Sequence, residues 1–318
     1  MKKLITIIIV IIIIIFIANG WWNSQLAGVS SDESTKVFVI AKGAGVSEIA
    51  KNLKEANLIK SELVFKFYVK QNNLTNKLQA GSYKLSPAMS TQEILKALQS
   101  GSEDLWITLP EGWRVEEMAE EINSKFEIRN SNFLAAAKEG YMFPDTYLFP
   151  KEATVGYIID TLRKTFDSRF ADELRSKIRS QGLAEDQGVI LASIVEREAR
   201  SDKAREMVAS ILLKRFKIGM ALNADATVQY ALGFQKSENS WWKRHLSFDD
   251  LKIDSPYNTY THAGLPPKPI SNPGLSSLKA VANADSSIPY LYYYHDSKGI
   301  SHFAKTLEEH NQNVANYP

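Results

Sequence analysis

Glu196 is the residue whose type and setting most readily suggest chemistry. It stands in Gly188 to Arg200, GVILASIVEREAR, where every position from Val189 to Val195 is apolar or small. A segment apolar on all sides predicts a helix buried all round. A carboxyl group at the end of such a helix is poorly solvated, so its neutral form is favoured and its pKa should rise toward the working pH. A general acid needs that condition, and a glutamic acid against an apolar wall is how lysozyme protonates a glycosidic oxygen. Glu198 follows two residues later, about 200° around a helix at roughly 100° per residue. It points elsewhere and cannot act as the partner of Glu196. A plainer role is also open to Glu196, as the start of the polar end of a core helix, paired with Arg197, Arg200 or another cation.

Other chemistries find little support. His245, His262, His295, His302 and His310 form neither HExxH nor any ligand-pair spacing, and Gly43-Ala44-Gly45 lacks the third glycine of a dinucleotide loop. No GxSxG elbow is present. With no Cys, the chain can have no disulfide, thiolate metal site, thiol nucleophile or lipidated cysteine. No cofactor and no metal are implied. The 38 basic and 36 acidic side chains nearly cancel, which argues against nucleic acid as a partner. At 44% apolar and 23% charged residues, the chain has the composition of a folded globular protein.

The elements that would position Glu196 begin with an address. Met1, Lys2 and Lys3 precede an apolar run from Leu4 to Ala18, and Trp21 and Trp22 follow as an aromatic belt. Leu4 to Trp22 is about 28 Å of helix at roughly 1.5 Å per residue, enough for a bilayer core of about 30 Å. This predicts a single-pass anchor over residues 1–22, its N-terminus cytoplasmic and the rest exported; a cleaved signal peptide ending near Gly20 is the other reading. Residues 23–35 are small and polar and read as a flexible tether.

Residues 36–104 then read as a small module of strand (Lys36 to Ala41), helix (Val46 to Ala56), helix (Leu63 to Lys70) and strand (Gly81 to Leu85). Residues 105–318 form the larger part. Gly43, Val46, Glu48, Ile49, Ala50 and Leu53 recur 69 positions on as Gly112, Val115, Glu117, Met118, Ala119 and Ile122, a weak echo of one strand-turn-helix. GYMFPDTYLFP, from Gly140 to Pro150, cannot be a helix interior, since two prolines each remove a donor. Its aromatics either cap a core or make a wall on which sugars stack. Apolar residues from Ile158 to Ile178 recur every three or four positions and predict one long amphipathic helix. Ser255 to Gly274, with five prolines, is an ordered loop. Its Asn258, Thr259 and Tyr260 suit the reading of sugar hydroxyls and acetamido groups, and could equally satisfy the loop's own backbone. Leu291 to Tyr294 reads as a closing strand and Lys305 to Val314 as a last helix.

The anchor, the small module, GYMFPDTYLFP, ILASIVEREA, KIGMALNADATVQYAL, SPYNTYTHAGLPPKPISNPG and SHFAKTLEEHNQNV occur in this order, and together the chain resembles the endolytic murein transglycosylase family from residue 37 onward. The resemblance implies an α+β fold in which the first module is similar to a lysin-motif peptidoglycan-binding unit and residues 105–318 are catalytic. It places the family's catalytic glutamate on Glu196. The candidate substrate contacts in the shared motifs are Asp145, Tyr147, Asp225, Thr227, Asn258, Thr259 and Tyr260. Glu198-Ala199 departs from a more usual Glu-Thr, and Ala224 to Thr227 from Ser-Asp-Pro-Thr.

The implied reaction cleaves the bond between N-acetylmuramic acid and N-acetylglucosamine within nascent glycan strands, ending strand growth with a 1,6-anhydro sugar. One carboxyl serves as acid and then as base. Peptidoglycan strands are the implied partner, with the peptidoglycan synthases, at the cytoplasmic membrane. Two alternatives stay open. One is a hydrolytic muramidase, which would need a second carboxylate, Asp145 or Asp225, about 5 to 9.5 Å from the first. The other is a noncatalytic wall-binding scaffold in which Glu196 is structural.

Overall fold

The computed structural model describes residues 2–41, 43–101, 104–126, 128–151 and 153–317, with the side chains of the first helix described from Ile9 onward. Helices and small two-stranded sheets are mixed in two compact units, one of residues 1–106 with 148–152 and one of residues 107–147 with 153–318.

The first unit opens with α1 (Lys2–Leu26). Its stretch Ile9–Leu26 is long and apolar enough to cross a membrane, and most of it is exposed, as a lipid-facing helix would be. The helix does not stop at Trp22. Leu26 is buried, Trp22 meets Phe67 edge-on at 5.5 Å, and Lys60 Nζ donates to Ser24 O at 3.0 Å. Beyond it, Ser30 N donates to Pro87 O and Ala88 N to Asp32 O. A Cβ on Gly28 would lie 2.4 Å from Ala88 O, so only glycine allows that approach. The expected flexible tether of residues 23–35 is therefore helical at its start and tied down at several points.

Next come β1 (Lys36–Ile40), α2 (Val46–Glu55), α3 (Glu62–Gln71), β2 (Gly81–Leu85) and α4 (Thr91–Ser100). β1 and β2 are antiparallel, Phe38 opposite Tyr83 and Ile40 opposite Gly81. Period two turns Phe38 and Ile40 inward. They meet Ile49, Ala50 and Leu53 of α2, Phe65 and Val69 of α3, and Ile94, Leu95 and Leu98 of α4 in one core. Ser90 and Glu93 start α4 with reciprocal caps, worth about 1 kcal/mol.

The chain crosses into the second unit within β3 (Leu105–Thr108), which pairs with β4 (Thr146–Phe149). Between them lie α5 (Val115–Phe126) and α6 (Asn130–Ala136). Phe143, Tyr147 and Phe149 are buried, so of the two readings of GYMFPDTYLFP the structure has the core cap.

Then follow α7 (Val155–Arg169), α8 (Asp172–Ser180), α9 (Glu185–Glu198), α10 (Asp202–Lys217), α11 (Asp225–Leu232), α12 (Leu275–Ala282), β5 (Tyr292–His295), β6 (Ser301–Ala304) and α13 (Leu307–Asn316). The single helix expected over 158–178 is two, with the stripe intact, since Ile158, Leu162, Phe166, Leu174 and Ile178 are all buried. The break at Phe170 is held by Arg175, whose Nε donates to the Phe170 carbonyl at 2.7 Å while its guanidinium covers the Phe170 ring. That side chain satisfies a backbone acceptor that the helix no longer does.

α9 is the axis of this unit. Every residue from Gly188 to Val195 is buried, against α8, α10, α11 and α12. At about 1.5–3 kcal/mol for each large apolar side chain, this burial offsets the entropy of fixing the helix.

Candidate active site

The last turn of α9 sends its two carboxylates to opposite destinations, as the rotation of about 200° requires. Glu196 turns toward α10 and α12. Its Oε1 accepts from Arg205 at 3.0 Å, and its Oε2 accepts from Gly274 N at 2.9 Å and Ser277 Oγ at 2.8 Å. Gly274 precedes α12, so Glu196 sits at the positive end of that helix, where a negative charge is favoured. Arg205 also reaches Asp202 at 3.3 Å and Glu111 at 4.0 Å. The apolar wall expected around Glu196 is absent. The side chain is 4% exposed, its oxygens accept from three donors, and the Glu111 carboxyl is close enough to be pushed up by burial and by the charge of Glu196. Glu196 ties three helices together.

Glu198 turns toward α11 and β5. Its Oε1 accepts from Ala226 N at 3.2 Å, and its Oε2 accepts from the Tyr293 hydroxyl at 3.1 Å. No cation pairs with it among the described residues. Burial pushes its carboxyl up to about 7, helped by the charge of Asp225 and opposed by the Ala226 amide and Arg197. Tyr293 is raised well above the ordinary phenol value by its own burial and by Glu198, and stays a donor.

Two cavities open on Glu198. One of about 470 Å³ is lined by Arg215, Asn223, Asp225, Tyr260, Tyr292, Tyr293, Tyr294, His295, Leu307 and His310. The other, of about 480 Å³, is lined by Arg197, Arg200, Ser201, Ala204, His295, Asp296, Ser297, Gly299 and Ser301. His295 stands in both. Burial lowers its pKa, opposed by the Glu198 backbone, and Ser301 Oγ lies 2.9 Å from its Nδ1. Among the described residues, no three His, Asp or Glu side chains are arranged to hold a metal ion.

Of the expected contacts, only Asp225 and Tyr260 line the Glu198 cavities, with the Tyr260 hydroxyl donating to Asp225 Oδ1 at 2.6 Å. The others have different tasks. Thr227 and Thr259 are fully buried, 2.9 Å apart, with Thr227 donating to Ala224 O and Thr259 accepting from Ala224 N. Asn258 donates to Leu251 O and Ile253 O and accepts from Tyr260 N. These three side chains hold the α11 start and the 255–274 loop, and so aim Asp225 and Tyr260. The Tyr147 hydroxyl donates to Phe143 O, and Asp145 pairs with Arg169 at 3.6 Å. Neither lines a cavity with Glu198. Arg215, the tyrosines of β5, His295 and His310 were not expected there. The one signal for them was the run YLYYYH at 290–295, dense in phenols with a terminal imidazole.

The site thus rests on α9, on α11 and on the β5–β6 hairpin, which is antiparallel with Tyr293 opposite Phe303. The profile of the YceG-like family matches residues 38–316, the span that contains all of these elements. The chain belongs to the YceG-like family. It is 33% identical to the endolytic murein transglycosylase of Bacillus subtilis (strain 168), over 92% of this chain and 88% of that one. It is 29% identical to the endolytic murein transglycosylase of Streptococcus pneumoniae, over 90% of this chain and 59% of that longer protein. The crystal structure of a yceG-like protein from Listeria monocytogenes matches with a TM-score of 0.59 at 32% identity, covering 88% of this chain and 99% of the other. In this YceG-like chain the phenol-rich hairpin and the end of α9 converge on one carboxyl.

Proposed function

We propose that the chain is a membrane-anchored endolytic murein transglycosylase and that its acid is Glu198. The observation that carries the reading is a carboxyl raised to about 7, in no ion pair among the described residues, in the wall of two cavities. A group with that pKa is protonated in a large share of molecules near neutral pH and can still act as a base once ionised. The names of the relatives support the substrate class.

In this reading neutral Glu198 protonates the oxygen between N-acetylmuramic acid and N-acetylglucosamine, and the C1–O bond breaks with positive charge developing on the muramic ring. The carboxylate left behind is held by the Ala226 amide and the Tyr293 hydroxyl. It takes the proton of the ring's own 6-hydroxyl as that oxygen closes onto C1. The acid is regenerated, no water is consumed, and the product carries a 1,6-anhydro end. Tyr260, Tyr292 and Tyr294 offer flat apolar faces with polar tips to the sugars.

Asp225 lies in the same cavity and supports a second reading, hydrolysis with Asp225 orienting a water. Digestion of purified glycan strands followed by mass spectrometry separates the two. Anhydro ends are the expected product, and reducing ends alone would overturn the lyase reading.

The rest of the assignment follows from the anchor and the first unit. We infer that α1 holds the N-terminus in the cytoplasm, on the strength of Lys2 and Lys3, and that the units after it are exported. The strand-helix-helix-strand order of residues 36–85 supports a lysin-motif-like role in holding glycan. The family resemblance supports an association with the peptidoglycan synthases.

A further inference from the structure

The cavity of Arg197 and Arg200 continues away from Glu198. It shares Ser201, Ala204, Gly299 and Ser301 with a third cavity of about 300 Å³, to which Lys203, Ile300 and Phe303 add walls. One groove therefore leads from Glu198 past Arg197 and Arg200 to Lys203. Its cations are unevenly occupied. Arg197 lies over the Trp242 ring at 3.7 Å and donates weakly to Gly112 O at 3.4 Å, while its Nε is buried with no hydrogen-bond partner. Arg200 is exposed, and neither it nor Lys203 makes an ion pair among the described residues. The carboxylates nearby are engaged elsewhere. Asp296 accepts from His302 Nε2 and from the amides of Lys298 and Ile300, and Asp202 pairs with Arg205. Beyond Glu198 at its head, a groove walled by guanidinium and ammonium groups outside any ion pair among the described residues selects an anion.

We propose that this groove binds the carboxylates of the peptide stem carried by the muramic sugar, so that the enzyme selects strands that still bear their stems. The proposal rests on Glu198 as the acid. Cleavage next to a muramic ring places that ring at Glu198, and the stem leaves the ring from its lactyl group, so the stem begins where the groove begins. Its carboxylates fall along the cationic walls. In a stem-bearing strand the lactyl carboxyl is tied up as an amide, so the stem supplies the charges that Arg200 and Lys203 meet, whereas a stripped strand keeps one carboxylate, on the lactyl group itself.

The test uses the full chain in detergent on two substrates, glycan strands with stems and the same strands stripped by an amidase. Wild type is expected to show a higher kcat/KM on stem-bearing strands, and Arg200→Glu to reduce the ratio between the two substrates about tenfold, mainly through KM. Arg200→Gln, which keeps a surface side chain of similar length, should reduce it less. Equal rates on both substrates in wild type, or an unchanged ratio in Arg200→Glu, would overturn the proposal. A second arm needs no catalysis: titration of the Glu198→Gln chain with N-acetylglucosaminyl-N-acetylmuramyl pentapeptide and with the stemless disaccharide. Preferential binding of the peptide form, lost when Arg200→Glu is added, supports the groove even if no strand is cut. Equal binding of the two, or binding indifferent to Arg200, overturns it. Failure of wild type to cut either strand counts against the proposed reaction alone.

Discussion

Two glutamates two residues apart face different partners, and the proposed reading gives them different work. Glu196 is an acceptor for Arg205, Gly274 and Ser277, and the proposed reading leaves it the task of tying α9 to α10 and α12. Glu196→Ala should destabilise the second unit by about 3 kcal/mol, since it leaves a largely buried guanidinium short of a partner and α12 without its anion. Thermal melting of the variant checks this, and a melting point equal to wild type would show that the triangle carries no load. The sequence made a carboxyl at the end of a buried helix visible, since seven apolar or small residues in a row leave little else to infer. The sequence reading places the acid on Glu196, whereas the proposal made from the structure places it on Glu198. The choice depends on Arg205 from α10 and Tyr293 from β5, and nothing in the spacing of GVILASIVEREAR reveals which of them faces which residue. Asn258, Thr227 and Thr259 were legible as hydrogen-bonding side chains, but their partners proved to be backbone groups close at hand in the fold.

At the scale of elements, the position of Glu198 depends on how closely α9 packs. Gly188 lies against Ile178 of α8, and a Cβ added there would sit 2.6 Å from Ile178 Cγ2 and 2.7 Å from its Cδ1. Ile178 is itself fully buried and has little room to yield. Gly188→Ala should therefore cost about 1–3 kcal/mol through overpacking, despite the better helix propensity of alanine. Denaturant unfolding tests this, and a stabilised variant would mean that α8 moves aside freely. Elements with a clear period were legible: the strands near 36–40 and 81–85 and the helices over 46–55 and 62–71 lie within a residue or two of their expected bounds. The break between α7 and α8 was not, because neither proline nor glycine marks it. Phe170 and Arg175 make it through a ring stack and a side-chain hydrogen bond that exist only in the folded chain.

For the whole molecule, a second buried acid sets how stability depends on pH. Glu139 is 8% exposed and accepts from Val115 N and Asn272 Nδ2. Burial pushes its carboxyl up to about 8 from an ordinary 4.5. The folded chain then holds that proton more tightly than the unfolded chain does, so the contribution is complete below about 4.5 and is lost as pH rises through about 8. Glu139→Gln keeps the acceptor and removes the proton. It should flatten the stability profile over this window and gain on the order of 3 kcal/mol relative to wild type at its alkaline end. Parallel denaturation series at pH 5 and pH 8.5 read the difference, and equal slopes in the two proteins would exclude it. The reaction has its own pH signature, set by a different carboxyl. The rate of anhydro-end formation by wild type, Glu196→Gln and Glu198→Gln from pH 5 to 9 is the most direct measurement. The rate of wild type and of Glu196→Gln should fall as pH rises through about 7, with Glu198→Gln slower by at least about a hundredfold throughout. Full activity in Glu198→Gln, or its loss in Glu196→Gln while that variant stays folded, would contradict the assignment.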